Sequence, residues 1–111
     1  MGQASAELLR AHQREKADCS AFVTACNPFG QPLDGASNGA RQAALARELT
    51  RTGLSFLPGI GQHPSNEWPG EDSFLVFGLR LEAATALCVR LEQNGFVWSA
   101  ADGVPQLILL R

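Results

Sequence analysis

Twice in this chain a helix-forming run ends on glycine and passes directly into a β-prone run. Thr50-Arg51-Thr52-Gly53 leads into Leu54-Ser55-Phe56-Leu57, and Leu91-Glu92-Gln93-Asn94-Gly95 leads into Phe96-Val97-Trp98. Before each lies a helical pattern, 38–52 and 81–93, and before each helix an apolar run, 21–26 and 73–79. Strand, helix, glycine, strand therefore occurs twice. A chain of 111 residues is one domain by length, and it has few ways to bury two such halves together. The pattern predicts an α+β fold, a ferredoxin-like split βαβ sandwich, with right-handed crossovers placing both helices on one sheet face.

The individual elements follow from local chemistry. Leu81, Ala84, Leu87, Cys88 and Leu91 share one face of the second helix, with Asn94-Gly95 expected to stop it. Asn38 is expected to open the first of the two long helices, and Asn27-Pro28 to end the strand at 21–26. The runs 54–60 and 73–79 read as strands. A terminal hairpin of 96–100 and 105–110, turning at Ala101-Asp102-Gly103, adds one edge strand to the sandwich. Residues 1–18 form an N-terminal helical extension to the single domain 1–111. Ser5 is its candidate cap, and with only Leu8 and Leu9 clearly apolar the helix is expected to dock loosely.

Counting strand directions puts every chemically rich stretch at one end of the sheet. The loops 27–38 and 61–73 and the pair Gln93-Asn94 lie there. The opposite connections, Thr52-Gly53 and Gly78-Leu79-Arg80, are short and plain. At 100° per residue Asn38 points with Leu45 and Leu49, flanked by Arg41 and Gln42, so the sheet-facing stripe turns polar beside those loops. A helix N-terminus at that spot offers free N–H groups to an anionic or carbonyl-bearing ligand. The candidate binding residues are Asn27, Asn38, Arg41, Trp68, Glu71 and Gln93. The loop Gly61-Gln62-His63-Pro64-Ser65-Asn66-Glu67-Trp68-Pro69-Gly70-Glu71-Asp72-Ser73 is expected to fold back over Asn27, Asn38 and Gln93. Its prolines reduce the entropy lost on ordering.

Each candidate has a plainer reading beside the functional one. Asn27-Pro28 is also a strand-ending Asx turn, and Trp68 also a plug against the core. Glu71, a carboxylate just before an apolar strand, is ordinarily a solvated loop group; its alternatives are an acid/base or a tether to Asn38 or Arg41, with the tether ahead. His63 reads as a solvated loop histidine before a general base. His63, Glu67 and Glu71 have helical ligand spacing, but Pro64, Pro69 and Gly70 forbid that helix, so no metal site is expected. Cys88 and Cys26 read as core thiols, and Arg47 and Arg51 as part of a solvated helix face. Phe74 and Phe77 are three apart and face opposite sides of a strand, which removes the aromatic platform of an RNA-binding module.

Composition sets the remaining bounds. A net charge of -2 gives no field for a phosphate backbone, so nucleic acid is not an expected partner. No stretch is long and apolar enough to span a bilayer, and the opening MGQASAELLRAHQREKADC lacks the apolar core of a secretory signal. Ala6 stands where a myristoylation motif wants Ser or Thr. Cys19, Cys26 and Cys88 are odd in number and form no C-x-x-C pair. Reduced thiols in a cytoplasmic protein are expected.

Thr24-Ala25-Cys26-Asn27-Pro28, Asn38, Gly61, the run Trp68-Pro69-Gly70-Glu71-Asp72-Ser73-Phe74 and the run Gln93-Asn94-Gly95-Phe96-Val97-Trp98 resemble the bacterial domain of unknown function family 3293. The resemblance covers roughly residues 20–100 and implies no reaction. Two departures from the family pattern, Cys26 in an aromatic slot and Gly70 as an extra residue, speak against Cys26 as a nucleophile. The expected function is a binding module without cofactor, for a small anionic or carbonyl-bearing ligand or a protein partner. A homodimer through the strand edges at 54–60 or 105–110 is compatible with it. The alternative is a small enzyme using Glu71 or His63 as acid/base at the same site.

Overall fold

In the computed structural model, Ser5 opens the first helix, α1 (Ala6–Glu15), by accepting a hydrogen bond from the Leu8 N–H at 3.2 Å. The described residues are 4–28, 31–61 and 71–110, of which 59–61, 71 and 72 are described by backbone only. The long helix α2 (Gly35–Thr52) starts three residues before the expected Asn38. Asp34 takes the cap, its Oδ1 accepting from Ser37 N–H at 2.6 Å. A cap of this kind is worth about 1 kcal/mol, enough to offset a glycine such as Gly35 in the first turn. Asn38, relieved of capping, is free to bond across to another segment.

The third helix, α3 (Leu81–Arg90), ends before Asn94-Gly95 is reached. Glu92 turns into the left-handed region at φ 61, and Gln93 N–H closes the helix on Cys88 O at 3.0 Å. Gly95 instead begins a strand.

Five strands form one antiparallel sheet: β1 (Ser20–Val23), β2 (Phe56–Gly61), β3 (Glu71–Phe77), β4 (Gly95–Ser99) and β5 (Pro105–Leu109). Their order is β2-β3-β1-β4-β5. β1 and β3 are central antiparallel neighbours, as expected, and β1 does not pair with β2. β1 is shorter than the apolar run that announces it, because Ala25 N–H is taken by the Gln42 side chain at 2.7 Å instead of by a strand. β2 and β3 are displaced toward the connection between them, spanning 56–61 and 71–77 in place of the expected 54–60 and 73–79, with Gly61 paired to Glu71. Glu71 therefore belongs to a strand rather than to the loop before it.

Strand alternation divides the sheet into two faces. On one, Ala21, Val23, Val76 and Phe96 pack with Leu45 and Leu49 of α2 and Ala84, Leu87 and Cys88 of α3, forming the core. α1 lies on the other face and docks more firmly than expected. Ala11 and His12 are buried, and the His12 ring meets Phe77 edge-on at 6.3 Å. The fold is thus a mixed α+β arrangement of three helices on a five-stranded sheet among the described residues. None of the helices described is long and apolar enough to cross a membrane.

Candidate binding site

Four of the candidate residues, Asn27, Asn38, Arg41 and Gln93, meet where β1 ends. Asn27 sits at φ 49, a left-handed conformation that asparagine tolerates better than most side chains. Its Oδ1 accepts from Leu33 N–H and from Asn38 Nδ2, both at 2.9 Å. Asn38 returns the contact, its Oδ1 accepting from Asn27 N–H at 2.9 Å while its Nδ2 also reaches Leu33 O at 3.3 Å. The pair is a reciprocal clasp between the segment after β1 and the first turn of α2.

One turn along α2, Gln42 is buried, and its Oε1 accepts from Ala25 N–H and from Thr24 Oγ1. Gln42 belongs to the same network. The sequence places it on the polar start of the buried stripe, which is the signal that marks it. Gln93 enters from beyond α3, its Nε2 donating to Cys26 O at 3.0 Å and Leu91 O at 3.2 Å. Arg41 joins all three segments: Nε donates to Ala25 O, and Nη2 donates to Leu91 O at 2.8 Å. Leu91 is the C-cap of α3, so the guanidinium lies at the negative end of that helix.

Among the described residues, Arg41 keeps uncommitted donors at this end. A guanidinium carries five N–H donors, of which two are spent on the two carbonyls. The side chain is half-buried, and among the described residues no carboxylate pairs with it. Its orientation is held by backbone, and its remaining donors suit a planar acceptor such as a carboxylate. The side chain of Glu71 is outside the described set, although its backbone begins β3. His63 and Trp68, and the expected folding back of their loop, lie outside the described residues. Among the described residues no group of three or more His, Cys, Asp or Glu is placed to hold a metal ion.

The opposite end of the sheet is less plain than the sequence suggests. An open recess of about 300 Å³ lies between the end of α1 and the connections at Gly53 and Gly78, lined by Glu15, Lys16, Asp18 and Arg80 among others. Arg80 pairs with Asp18 at 3.3 Å, both well exposed. Beneath it, His12 Nε2 lies 2.8 Å from Ser20 Oγ, a contact that sequence reading missed. Ser20 is 1% exposed and His12 Nδ1 has no hydrogen-bond partner among the described residues, so the pair lacks both access and an orienting group there. Burial pushes the His12 pKa down, with Asp18 acting more weakly in the other direction.

A family model described as protein of unknown function (DUF3293) matches residues 23–95. No curated protein and no solved structure matches the chain. The matched segment contains every described residue of the polar network, from Thr24 to Gln93, whereas α1 and β5 lie outside it. The chain belongs to the family of proteins of unknown function DUF3293.

Proposed function

We propose that this protein is a cytoplasmic binding module, built as a ferredoxin-like split βαβ sandwich with β5 added at one edge, whose polar end takes an anionic or carbonyl-bearing group. The strand order supports the architecture. β1-α2-β2 and β3-α3-β4 interleave so that each crossover spans one intervening strand. The binding reading rests on Arg41, a half-buried cation aimed by two backbone carbonyls and paired with no carboxylate among the described residues. Asn27, Asn38 and Gln93 hold the segments around it, and Glu71 begins β3. Three buried free thiols support a reducing compartment.

The test is ligand-induced stabilisation of the full chain by citrate and by inorganic phosphate, read as a shift in Tm. Binding to the native state alone raises Tm with ligand concentration. The wild type is expected to show that shift and Arg41→Gln to lose it, with Arg41→Lys retaining a reduced response. Arg41→Gln also removes two bonds to carbonyls, so each variant is compared with its own ligand-free Tm. Equal shifts in wild type and Arg41→Gln, or no shift in the wild type, would remove Arg41 as the recognition group.

A further inference from the structure

α1 is held to the sheet by a few specific groups. Ser5 N–H donates to Gly103 O at 3.0 Å. Leu9 packs so closely on Gly103 that a Cβ there would stand 2.7 Å from its Cγ. Of the helix itself only Ala11 and His12 are buried. A helix of 10 residues is marginal in water by itself, so α1 persists through these contacts. The core on the other face, from Leu45 and Leu49 to Leu87 and Cys88, includes no residue of α1.

Among these anchors only His12 can change its charge. Its ring stands edge-on to Phe77, and Nε2 meets Ser20 Oγ at 2.8 Å. Nδ1 has no hydrogen-bond partner among the described residues. In the neutral ring a single proton suffices for the Ser20 contact. An imidazolium carries N–H donors at both nitrogens, and the one at Nδ1 would be buried without an acceptor. The neighbouring charges do little to compensate. Asp18 acts on the ring, but it is well exposed and paired with Arg80. Glu15 and Lys16, at the end of α1, oppose each other in sign. β1, β2, β4 and β5 carry no ionisable side chain, and β3 has Glu71 and Asp72 at the end away from Phe77. Asp102, in the turn beside Gly103, accepts from Val104 N–H.

We propose that α1 is a pH-operated cover: protonation of His12 releases the helix from the sheet, while the sheet and the two helices on its other face stay folded. Burial holds the His12 pKa below its ordinary 6.5, and release restores it. Docking is therefore fully favoured above pH 6.5 and weakens as pH falls toward the docked value, by up to about tenfold per pH unit. Release uncovers Ser20 and Phe77, which are 1% and 2% exposed beneath the docked helix. Arg41 plays no part in it.

The test is amide hydrogen exchange of the full chain between about pH 8 and about pH 5, corrected for intrinsic rates, with NMR titration of the His12 ring. The α1 amides are expected to be less protected than those of β1 and β3 at every pH, so that they open separately. Their protection should hold above pH 6.5 and fall below it, by up to about tenfold per pH unit. The ring is expected to titrate below 6.5. His12→Gln should make α1 protection independent of pH, and His63→Gln, which removes the other histidine, should behave as the wild type. The proposal is overturned if α1 shares one protection with β1 and β3, if its protection does not change with pH, or if His12→Gln keeps the dependence. Loss of the dependence in His63→Gln overturns it equally. Should His12→Gln leave α1 unprotected at every pH, the wild-type ring decides. A midpoint at or above 6.5 overturns the proposal, and one below it that follows the loss of α1 protection upholds it.

Discussion

His12 shows how much a single side chain can decide. On a mostly polar helix it looks like a solvated residue, and only its position four after Leu8 places it on the buried stripe. The structure buries it to 3% exposure against Ser20 and Phe77, where its charged form is disfavoured. The pKa is lowered from 6.5 mainly by desolvation, against the weaker pull of Asp18. The sign follows directly. Above the unfolded value both states hold a neutral ring and the stability is fully present. As pH falls below 6.5 the unfolded chain takes up a proton that the folded one refuses, and stability is lost through the depressed folded value. We expect the urea midpoint to drop over that window, at no more than about 1.4 kcal/mol per pH unit from this group. His12→Gln should flatten that part of the profile. An unchanged slope in the variant would place the titration elsewhere.

At the scale of elements, boundaries were set by whichever group reached a free backbone donor or acceptor first. Asp34 outran Asn38 at the start of α2, Glu92 ended α3 before Asn94-Gly95, and the Gln42 side chain cut β1 short. Gly95 illustrates the same competition in the sheet. Its ideal Cβ would stand 2.6 Å from Ile108 O on the neighbouring strand, so only glycine lets β4 and β5 close to that spacing. Gly39, inside α2, has open space around its Cβ position. We expect Gly95→Ala to destabilise by about 1–3 kcal/mol through forced separation of the hairpin. Gly39→Ala should stabilise by up to about 1 kcal/mol through helix propensity. Equilibrium urea unfolding measures both, and an unaffected Gly95→Ala protein would show that β5 yields at little cost.

For the whole molecule, the three cysteines report on how the layers close. Cys88 is fully buried on α3, and burial alone pushes its thiol up to about 12. Cys19 is raised as well, chiefly by desolvation, and donates to Leu79 O. Cys26 is 4% exposed under the polar network. None is in a disulfide. We expect native protein to react with a thiol-specific label only as fast as it opens, and all three sites to react at once in denaturant. Rapid labelling of Cys26 alone in native conditions would mean that the clasp of Asn27 and Asn38 opens locally, independently of the core.

The order of elements, the two βαβ-like halves, the facing of α3 and the gathering of Asn27, Asn38, Arg41 and Gln93 at one end were all legible in the sequence. Periodicity and glycine punctuation act over a few residues, and strand direction alternates by counting. Tertiary structure alone decided what those residues do to one another. Asn27 and Asn38 spend their amides on a clasp, and Arg41 spends two donors on carbonyls 16 and 50 residues away. A hydrogen bond depends on distances of a few tenths of an ångström between segments remote in the chain, which no local pattern encodes. The same holds for one apolar row on the sheet face that carries α1. Leu57, Leu75, Phe22, Val97 and Leu107 are unremarkable apart, and only the register of five strands brings them into line.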